Sequence, residues 1–134
     1  MAGNPLTHLP GMTENLVRVE ARLAESVRAD DDFLTEVASH LIRAGGKRVR
    51  PTLTMAAALS ADGELGDATE DSVLGGVSVE LVHLGSLYHD DVMDDATTRR
   101  TVESVNARWG NLKAILAGDF LLARASEIAA GLGT

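Results

Sequence analysis

The chain lacks several residue types that many protein classes depend on. It has no cysteine, which excludes disulfides and thiolate metal sites and favours the cytoplasm. Aromatic residues make up only 3% of it, so the core must come from Leu, Val and Ala, which favours helices over sheets. No run approaches the roughly 20 apolar residues that a membrane span requires, and the first residues lack a charged leader. We expect a soluble helical protein.

An excess of positive charge is also missing. The 134 residues contain 20 acids against 12 Lys and Arg, a formal net charge of -8. A phosphate backbone needs a basic surface, so general nucleic-acid binding is not expected. The charges of interest therefore lie in local clusters, one acidic and one basic.

The acidic cluster ends an apolar helical pattern over residues 73–95. At about 3.6 residues per turn, Asp90 and Asp94 share one helix face, and His83 lies on the same stripe two turns earlier. Carboxylates at the end of an apolar helix are costly unless a cation lies between them, and hard oxygen ligands suit Mg²⁺, which also binds phosphate. We predict a diphosphate site bridged by magnesium. Taken alone, His83 also fits a buried, hydrogen-bonded core histidine.

The basic cluster lies in a short loop between two predicted helices and consists of Lys47, Arg48 and Arg50. Like charges on a short loop repel each other, and arginine forks with a lysine point charge suit a diphosphate. The alternative is a solvated basic turn, and charge alone does not separate the two. The acids at 30–32 are typical of a helix cap rather than a metal site.

Hydrophobic periodicity predicts one helical domain over residues 12–134, preceded by a flexible arm over residues 1–11. Thr13 is a predicted cap, and Pro51 a predicted first helical residue. Asp67 and Glu70 form a predicted capping box. The predicted helices cover about 12–28, 33–44, 51–61, 67–94, 104–109 and 112–130.

Three features of the later helices bear on packing. Gly75 and Gly76 inside the long fourth helix predict close contact with a neighbouring helix. Glu80 is ambiguous between a buried and an exposed position. The last helix is apolar enough to need a partner helix, from this chain or another.

Three blocks together resemble the amino-terminal portion of the trans-isoprenyl diphosphate synthases, the polyprenyl synthetase family. They are GGKRVRP at 45–51, ELVHLGSLYHDDVMD at 80–94 and WGNLKAILAGDFLLARAS at 109–126. The DDxxD pentapeptide alone is weak, because class I terpene cyclases carry it too, but three blocks in order are specific. The resemblance implies an all-α antiparallel helical bundle, the amino-terminal half of the isoprenoid synthase fold.

The resemblance also implies roles for the matching residues. Asp90 and Asp94 would coordinate the Mg²⁺ that holds the allylic diphosphate, and Asp91 would support the metal cluster. Arg99 would bind the allylic diphosphate. Isopentenyl diphosphate would be held by Lys47, Arg50, His83 and Arg100. Arg48 lies in the motif but receives no role.

The implied reaction is ionisation, condensation and elimination. Magnesium and the basic side chains would neutralise the departing pyrophosphate, so that the allylic C–O bond breaks. The isopentenyl double bond would attack the resulting cation, and loss of a proton to pyrophosphate would give a trans-prenyl diphosphate longer by one C5 unit.

Product length is expected to depend on the helix turns before the acids. A growing tail that runs away from the carboxylates would pass Gly85 and Ser86 and then Val82. None of these is large or aromatic, so we expect a medium or long product. The alternative is that Gly85 and Ser86 only serve helix packing.

Two departures from the family pattern stand out. Thr101 follows the paired arginines where the family usually has glycine, and Glu103 stands where proline is common, changes that would disturb the arginines. No second aspartate-rich motif occurs before Thr134. We therefore expect a truncated portion of a longer synthase that is inactive alone.

Two further readings remain open. One is a noncatalytic binding or structural module, such as the partner subunit of a prenyl synthase. A terpene cyclase is weaker, because cyclases lack the isopentenyl co-substrate that the basic loop would serve. The apolar last helix predicts a homo-oligomer or pairing with another synthase chain.

Overall fold

The computed structural model describes residues 3–62 and 66–132. Residues 1–2 of the predicted arm, and residues 63–65 and 133–134 of the predicted domain, lie outside that description. The described ranges contain a short 3-10 helix at Pro5–His8, six α-helices and one two-stranded hairpin. The elements are α1 Met12–Ser26, α2 Asp32–Arg43, α3 Val49–Asp62, α4 Glu70–Met93, β1 Thr98–Arg99, β2 Val102–Glu103, α5 Val105–Trp109 and α6 Asn111–Gly131. None of these helices is long and apolar enough to cross a membrane.

The helices α4 and α6 form an antiparallel pair at the centre of the bundle. Ser78, in the first half of α4, donates its hydroxyl to Ala125 O at 2.9 Å near the end of α6. At the other end, the His89 ring lies 3.1 Å from Ile115 O. The predicted partner of the last helix is therefore α4 of the same chain.

Helix α3 packs against the glycine pair of α4. A Cβ added to Gly76 would lie 3.1 Å from the Pro51 Cα atom, and one added to Gly75 would lie 3.5 Å from the Thr54 side chain. Gly76 thus allows the two backbones to approach more closely than a larger residue would. Close helix packing at this pair therefore depends on Gly76, whereas a Cβ at Gly75 would make only an ordinary contact.

The core is aliphatic and surrounds α4. Tyr88 of α4 is 1% exposed, and its hydroxyl lies 2.7 Å from Val37 O of α2. Burial raises the pKa of Tyr88, so this side chain is an uncharged donor at neutral pH. The core cluster also contains six leucines from four helices, each at most 1% exposed: Leu16, Leu23, Leu41, Leu81, Leu84 and Leu121.

Two predicted caps can be judged at the helix starts. Asp31 accepts a hydrogen bond from Leu34 N at 2.9 Å, so the capping interpretation of the acidic triplet is confirmed. The predicted capping box of Asp67 with Glu70 is wrong, because Thr69 lies directly before α4 and accepts from Ser72 N at 3.1 Å. The extended backbone at Thr69 brings its hydroxyl to that amide.

The start of α1 was predicted correctly at Met12, but its predicted cap is wrong, and the start of α3 was predicted two residues too late. Helix α1 begins at Met12 after Gly11, whose φ is 76°, so Thr13 is an internal residue and not the cap. Met12 is fully buried, and its burial favours a helix that already includes it. Helix α3 begins at Val49, two residues before Pro51, because Arg48 O accepts from Thr52 N at 3.1 Å.

The start of the chain contacts the helical body through Asn4, which is 3% exposed. Its Nδ2 atom donates to Lys47 O at 2.8 Å and lies 3.0 Å from Thr52 Oγ1. The described part of the predicted arm therefore lies against the basic loop and the first turn of α3.

Candidate functional site

The basic loop forms one wall of a cavity of about 330 Å³. The loop and the first turn of α3 supply one side of it, α4 supplies a second side, and the hairpin supplies a third. The lining residues are Gly46, Lys47, Arg48, Val49, Arg50, Glu80, His83 and Arg100. The four residues predicted from the resemblance to hold isopentenyl diphosphate, Lys47, Arg50, His83 and Arg100, thus meet at one cavity.

Arg48 differs from the other cations of this cavity because its side chain is fully buried. Its Nε atom lies 2.5 Å from Glu20 Oε1, and its Nη1 atom lies 3.3 Å from Glu80 Oε1. Its Nη2 atom donates to Ile42 O at 3.2 Å. Glu80, ambiguous from the sequence, is buried, at 2% exposure. A buried cation needs such partners, since an unpaired buried charge is strongly destabilising.

Lys47 and Arg50 are exposed, in contrast to Arg48. The loop is therefore more than a solvated turn, because one of its three cations is internal and the other two lie at the cavity. An anion that enters the cavity meets accessible charges on a backbone that the protein holds in place.

His83 lies at the edge of this group of cations. Burial lowers its pKa from 6.5 to about 4, and the neighbouring charges of Arg50, Arg100, Arg99 and Arg48 lower it as well. The ring is therefore neutral at pH 7. A neutral imidazole can donate one hydrogen bond to an anion while keeping its other nitrogen free.

Arg100 reaches the cavity from the hairpin and holds the end of α2. Its Nη1 atom donates to Leu41 O at 3.2 Å and to Gly45 O at 2.5 Å. Carbonyls at a helix end lack partners within the helix, so these bonds fix the start of the basic loop. Burial, followed by repulsion from Arg48, lowers the pKa of Arg100, and a bound anion would relieve that repulsion.

The aspartate-rich segment at the end of α4 contains carboxylates of two kinds. Asp90 and Asp94 are exposed, whereas Asp91 is 2% exposed. Asp91 accepts from Arg99 Nη2 at 2.6 Å and from Arg99 Nε at 3.1 Å. The hydrogen bonds that Arg99 donates to Asp91 raise the pKa of Arg99, and the charges of Asp90 and Asp94 add to that effect. Arg99 thus belongs to the acidic segment, and it does not line the cavity.

The exposed acids fit a hard cation only in part. Asp90 and Asp94 lie one helical turn apart and offer accessible oxygens, as Mg²⁺ prefers, with room for water and phosphate oxygens. Asp91 is already engaged by Arg99. Across residues 3–62 and 66–132, no group of three or more His, Asp or Glu side chains gathers to hold a metal.

Comparison with known protein families identifies the family of this chain. The model of the polyprenyl synthetase family matches residues 31–134. The chain belongs to the polyprenyl synthetase family. The family resemblance and the all-α fold expected from it are both confirmed.

Relatives of this polyprenyl synthetase chain include longer enzymes. Nonaprenyl diphosphate synthase of Mycobacterium tuberculosis is 49% identical over 119 residues, which cover 88% of this chain and 34% of that protein. Heptaprenyl diphosphate synthase component 2 of Geobacillus stearothermophilus is 40% identical over 122 residues, covering 91% of this chain and 37% of that one. The chain therefore spans about a third of the length of these curated relatives.

A solved structure supports the fold. The polyprenyl synthase of Caulobacter crescentus CB15, complexed with calcium and isoprenyl diphosphate, matches with a TM-score of 0.81 at 34% identity. The match covers 89% of this chain and 35% of that one. The helices described above are thus an amino-terminal part of the isoprenoid synthase fold.

The hairpin after the acids shows the backbone conformation of Thr101, one of the two departures of this polyprenyl synthetase chain from the family pattern. Thr98 pairs with Glu103 and Arg99 with Val102, and the turn residues Arg100 and Thr101 have φ values of 52° and 65°. Two positive φ values are typical of the tight type I′ turn, in which glycine is favoured. Thr101 thus occupies a left-handed position where the family usually has glycine, and a β-branched residue there is strained.

The three residues predicted to influence product length lie in different surroundings. Gly85 faces α6, and a Cβ added to it would lie 3.0 Å from Leu122 Cγ and 3.1 Å from Gly118 O. Ser86 is exposed and donates its hydroxyl to His83 O at 2.6 Å. Val82 is 48% exposed. The packing interpretation therefore describes Gly85, whereas Val82 and Ser86 lie on an open face of α4.

Sequence reasoning missed the residues that support the basic loop. Glu80 lies three positions before His83 on the same helix, and that spacing could have indicated a side chain near the cavity. Glu20 and Asn4 carry no such signal, because their contacts with Arg48 and Lys47 join parts of the chain far apart in sequence.

Proposed function

We propose that this chain provides the amino-terminal part of a trans-prenyltransferase site. That site condenses an allylic diphosphate with isopentenyl diphosphate and forms a medium or long polyprenyl diphosphate. The observation that carries the proposal is the meeting of Lys47, Arg50, His83 and Arg100 at one cavity. The nonaprenyl and heptaprenyl synthases among its relatives support a product of that length.

The cavity is assigned to the isopentenyl diphosphate. Lys47 and Arg50 are accessible and oppose the negative charge of the two phosphates, while Arg100 approaches from the hairpin. His83 is neutral and donates a hydrogen bond without adding charge. Charge-assisted bonds of this kind are roughly twice as strong as neutral ones.

The end of α4 is assigned to the allylic diphosphate. Asp90 and Asp94 would hold Mg²⁺, which when bound neutralises phosphate charge and assists the departure of pyrophosphate. Arg99 binds the same diphosphate and is held beside the acids by Asp91. Asp91 thus supports the metal site through Arg99. The allylic C–O bond breaks, the isopentenyl double bond attacks the allylic carbon, and a proton leaves the new chain.

Product length is assigned to the open face of α4. Val82 and Ser86 are exposed on the helix that carries the acids, and neither is large enough to block a growing tail. Ser86→Phe in an active full-length enzyme would shorten the product. Gly85→Phe is a poorer test, because the new side chain would first meet α6.

The rest of the site is proposed to come from outside these residues. The relatives are about three times as long, and one is named as a component of a heptaprenyl synthase. Leu112, Ile115 and Leu116 of α6 are 81%, 41% and 61% exposed and offer an apolar face to further helices. A second copy or another synthase chain would cover the same face. A noncatalytic partner subunit is the alternative function that this face favours.

The proposal is tested by calorimetric titration with isopentenyl diphosphate. The double variant Lys47→Gln with Arg50→Gln should weaken binding at least about a hundredfold, since it removes two charge-assisted contacts. Lys113→Gln is the matched control, because Lys113 lies over the Phe33 ring and not at the cavity. Equal affinity in all three proteins would contradict the proposal.

Activity is tested separately by turnover with isopentenyl and farnesyl diphosphates and Mg²⁺. We expect little product from the 134-residue chain alone, because only one aspartate-rich motif is present. Substantial product from this chain would show that one motif is sufficient. Binding without turnover is also what the partner-subunit alternative predicts, so that alternative is tested by adding a synthase chain and measuring restored turnover.

A further inference from the structure

Arg48 has an unusual backbone conformation at the centre of the basic loop. Its φ is 53°, in the left-handed region that non-glycine residues seldom adopt. Two hydrogen bonds to carbonyl oxygens of the loop hold this conformation. Thr52 Oγ1 donates to Arg48 O at 2.7 Å, and Asn4 Nδ2 donates to Lys47 O at 2.8 Å. Strained backbone of this kind persists only where its surroundings determine it.

The Arg48 side chain ties the loop to three helices. It binds Glu20 of α1, Glu80 of α4 and the carbonyl of Ile42 at the end of α2. The guanidinium is fully buried, so solvent reaches Lys47 and Arg50 but not the Arg48 side chain. The loop is thus fixed both through its backbone and through its one internal side chain.

The carboxylates around Arg48 present an apparent conflict with anion binding. Glu80 lines the cavity, and Glu20 lies behind Arg48, so both acids repel an incoming diphosphate. If they acted only through their charge, removal of one would strengthen anion binding. If they hold Arg48 and thereby the loop, removal of one would weaken it. The two effects have opposite signs and can therefore be separated.

We infer that Arg48, held by Glu20, is a positioning residue that sets Lys47 and Arg50 in place for a diphosphate without contacting it. This inference rests on the proposed function of the cavity. Preorganised charges bind an anion more tightly than mobile ones, because less ordering is needed when the ligand arrives. Glu20 is the better site for a test, since its side chain is 35% exposed and Gln preserves its shape.

The experiment is titration of inorganic pyrophosphate into the 134-residue chain and its Glu20→Gln variant. We expect the Kd to rise about tenfold, the loss that corresponds to one charge-assisted hydrogen bond. Amide hydrogen exchange at residues 45–50 should become faster in the variant. Glu25→Gln is the control: it removes the same charge from the same helix, and Glu25 pairs with Arg22 away from the cavity.

A second variant, Arg48→Lys, keeps the charge but loses the guanidinium fork, and it should weaken pyrophosphate binding in the same direction. Circular dichroism shows whether each variant retains its helices. Unchanged or tighter pyrophosphate binding by folded Glu20→Gln would overturn the inference while leaving the proposed function intact, provided that Lys47→Gln still loses affinity. Failure of the unaltered chain to bind pyrophosphate would overturn both.

Discussion

The cavity and the acidic end of α4 are both assigned to diphosphate, yet they are built in different ways. The cavity draws its side chains from the basic loop, α4 and the hairpin, and its cations are held by carbonyls and buried acids. The acidic end presents Asp90 and Asp94 from one helix, both exposed. A preformed group of cations can hold an anion directly, whereas two separate acids need a cation between them. Diphosphate binding should therefore require a metal ion at the acidic end of α4 but not at the cavity.

The largest expected effect concerns the helix that joins the two regions. Gly85→Phe should lower the free energy of unfolding by about 3 kcal/mol, because its side chain would collide with Leu122 and Gly118 O of α6. Urea denaturation measures the change. Ser86→Phe, on the exposed face, should change stability by less than about 0.5 kcal/mol. Equal effects of the two variants would show that Gly85 does not pack against α6.

The next effect tests the metal dependence of the acidic end. Asp90→Asn combined with Asp94→Asn should remove the increase in pyrophosphate affinity that Mg²⁺ produces, an increase that we expect to be about tenfold. Binding in the presence of EDTA should be unchanged, since the cavity needs no metal. Asp95→Asn is the control, because Asp95 is a neighbouring exposed acid whose φ of 50° also suits Asn. Loss of metal-free pyrophosphate binding in the double variant would show that the cavity and the acidic end form one site.

The pKa of His83 reports on anion binding at the cavity and not at the acidic end of α4. Nuclear magnetic resonance should find the His83 pKa near its low value of about 4 in the free chain and closer to 6.5 with pyrophosphate bound, because the anion offsets the arginines. The unfolded chain takes up this proton near pH 6.5 and the folded chain only near 4, so stability should fall as the pH drops through that window. If the His83 pKa does not change when pyrophosphate is added, the anion binds away from His83.

The smallest effect concerns the hairpin between the two regions. Thr101→Gly should raise the free energy of unfolding by roughly 0.5–1 kcal/mol, since glycine adopts a φ of 65° without strain. Thr97→Gly lacks that benefit and should destabilise the chain by a similar amount. Thermal denaturation compares the two. A loss of stability in Thr101→Gly would mean that the turn is not strained.

The sequence predicted the fold well because local signals and the family motifs agree. Six helices, the glycine pair against α3 and the cap at Asp31 all follow from periodicity and side-chain chemistry. The wrong cap at Thr13 and the late start at Pro51 arise where burial of Met12 and the backbone turn at Arg48 determine the helix ends. Those determinants are tertiary, and no local pattern contains them.

The candidate site was predictable in its residues and less so in its arrangement. The resemblance pointed to Lys47, Arg50, His83 and Arg100, which the structure brings together. It gave no indication that Asp91 is buried with Arg99. The link between Glu20 and Arg48 crosses from α1 to the basic loop, and only the packed structure reveals it.

The cations around the cavity are proposed to bind a diphosphate directly, without metal. Titration of inorganic pyrophosphate into the isotope-labelled chain without metal, followed by amide and histidine resonances, tests this proposal most directly. We expect saturable shifts centred on residues 45–50, His83 and Arg100, with little change at Asp90 and Asp94. Shifts confined to the end of α4, or no saturable shift at all, would contradict it.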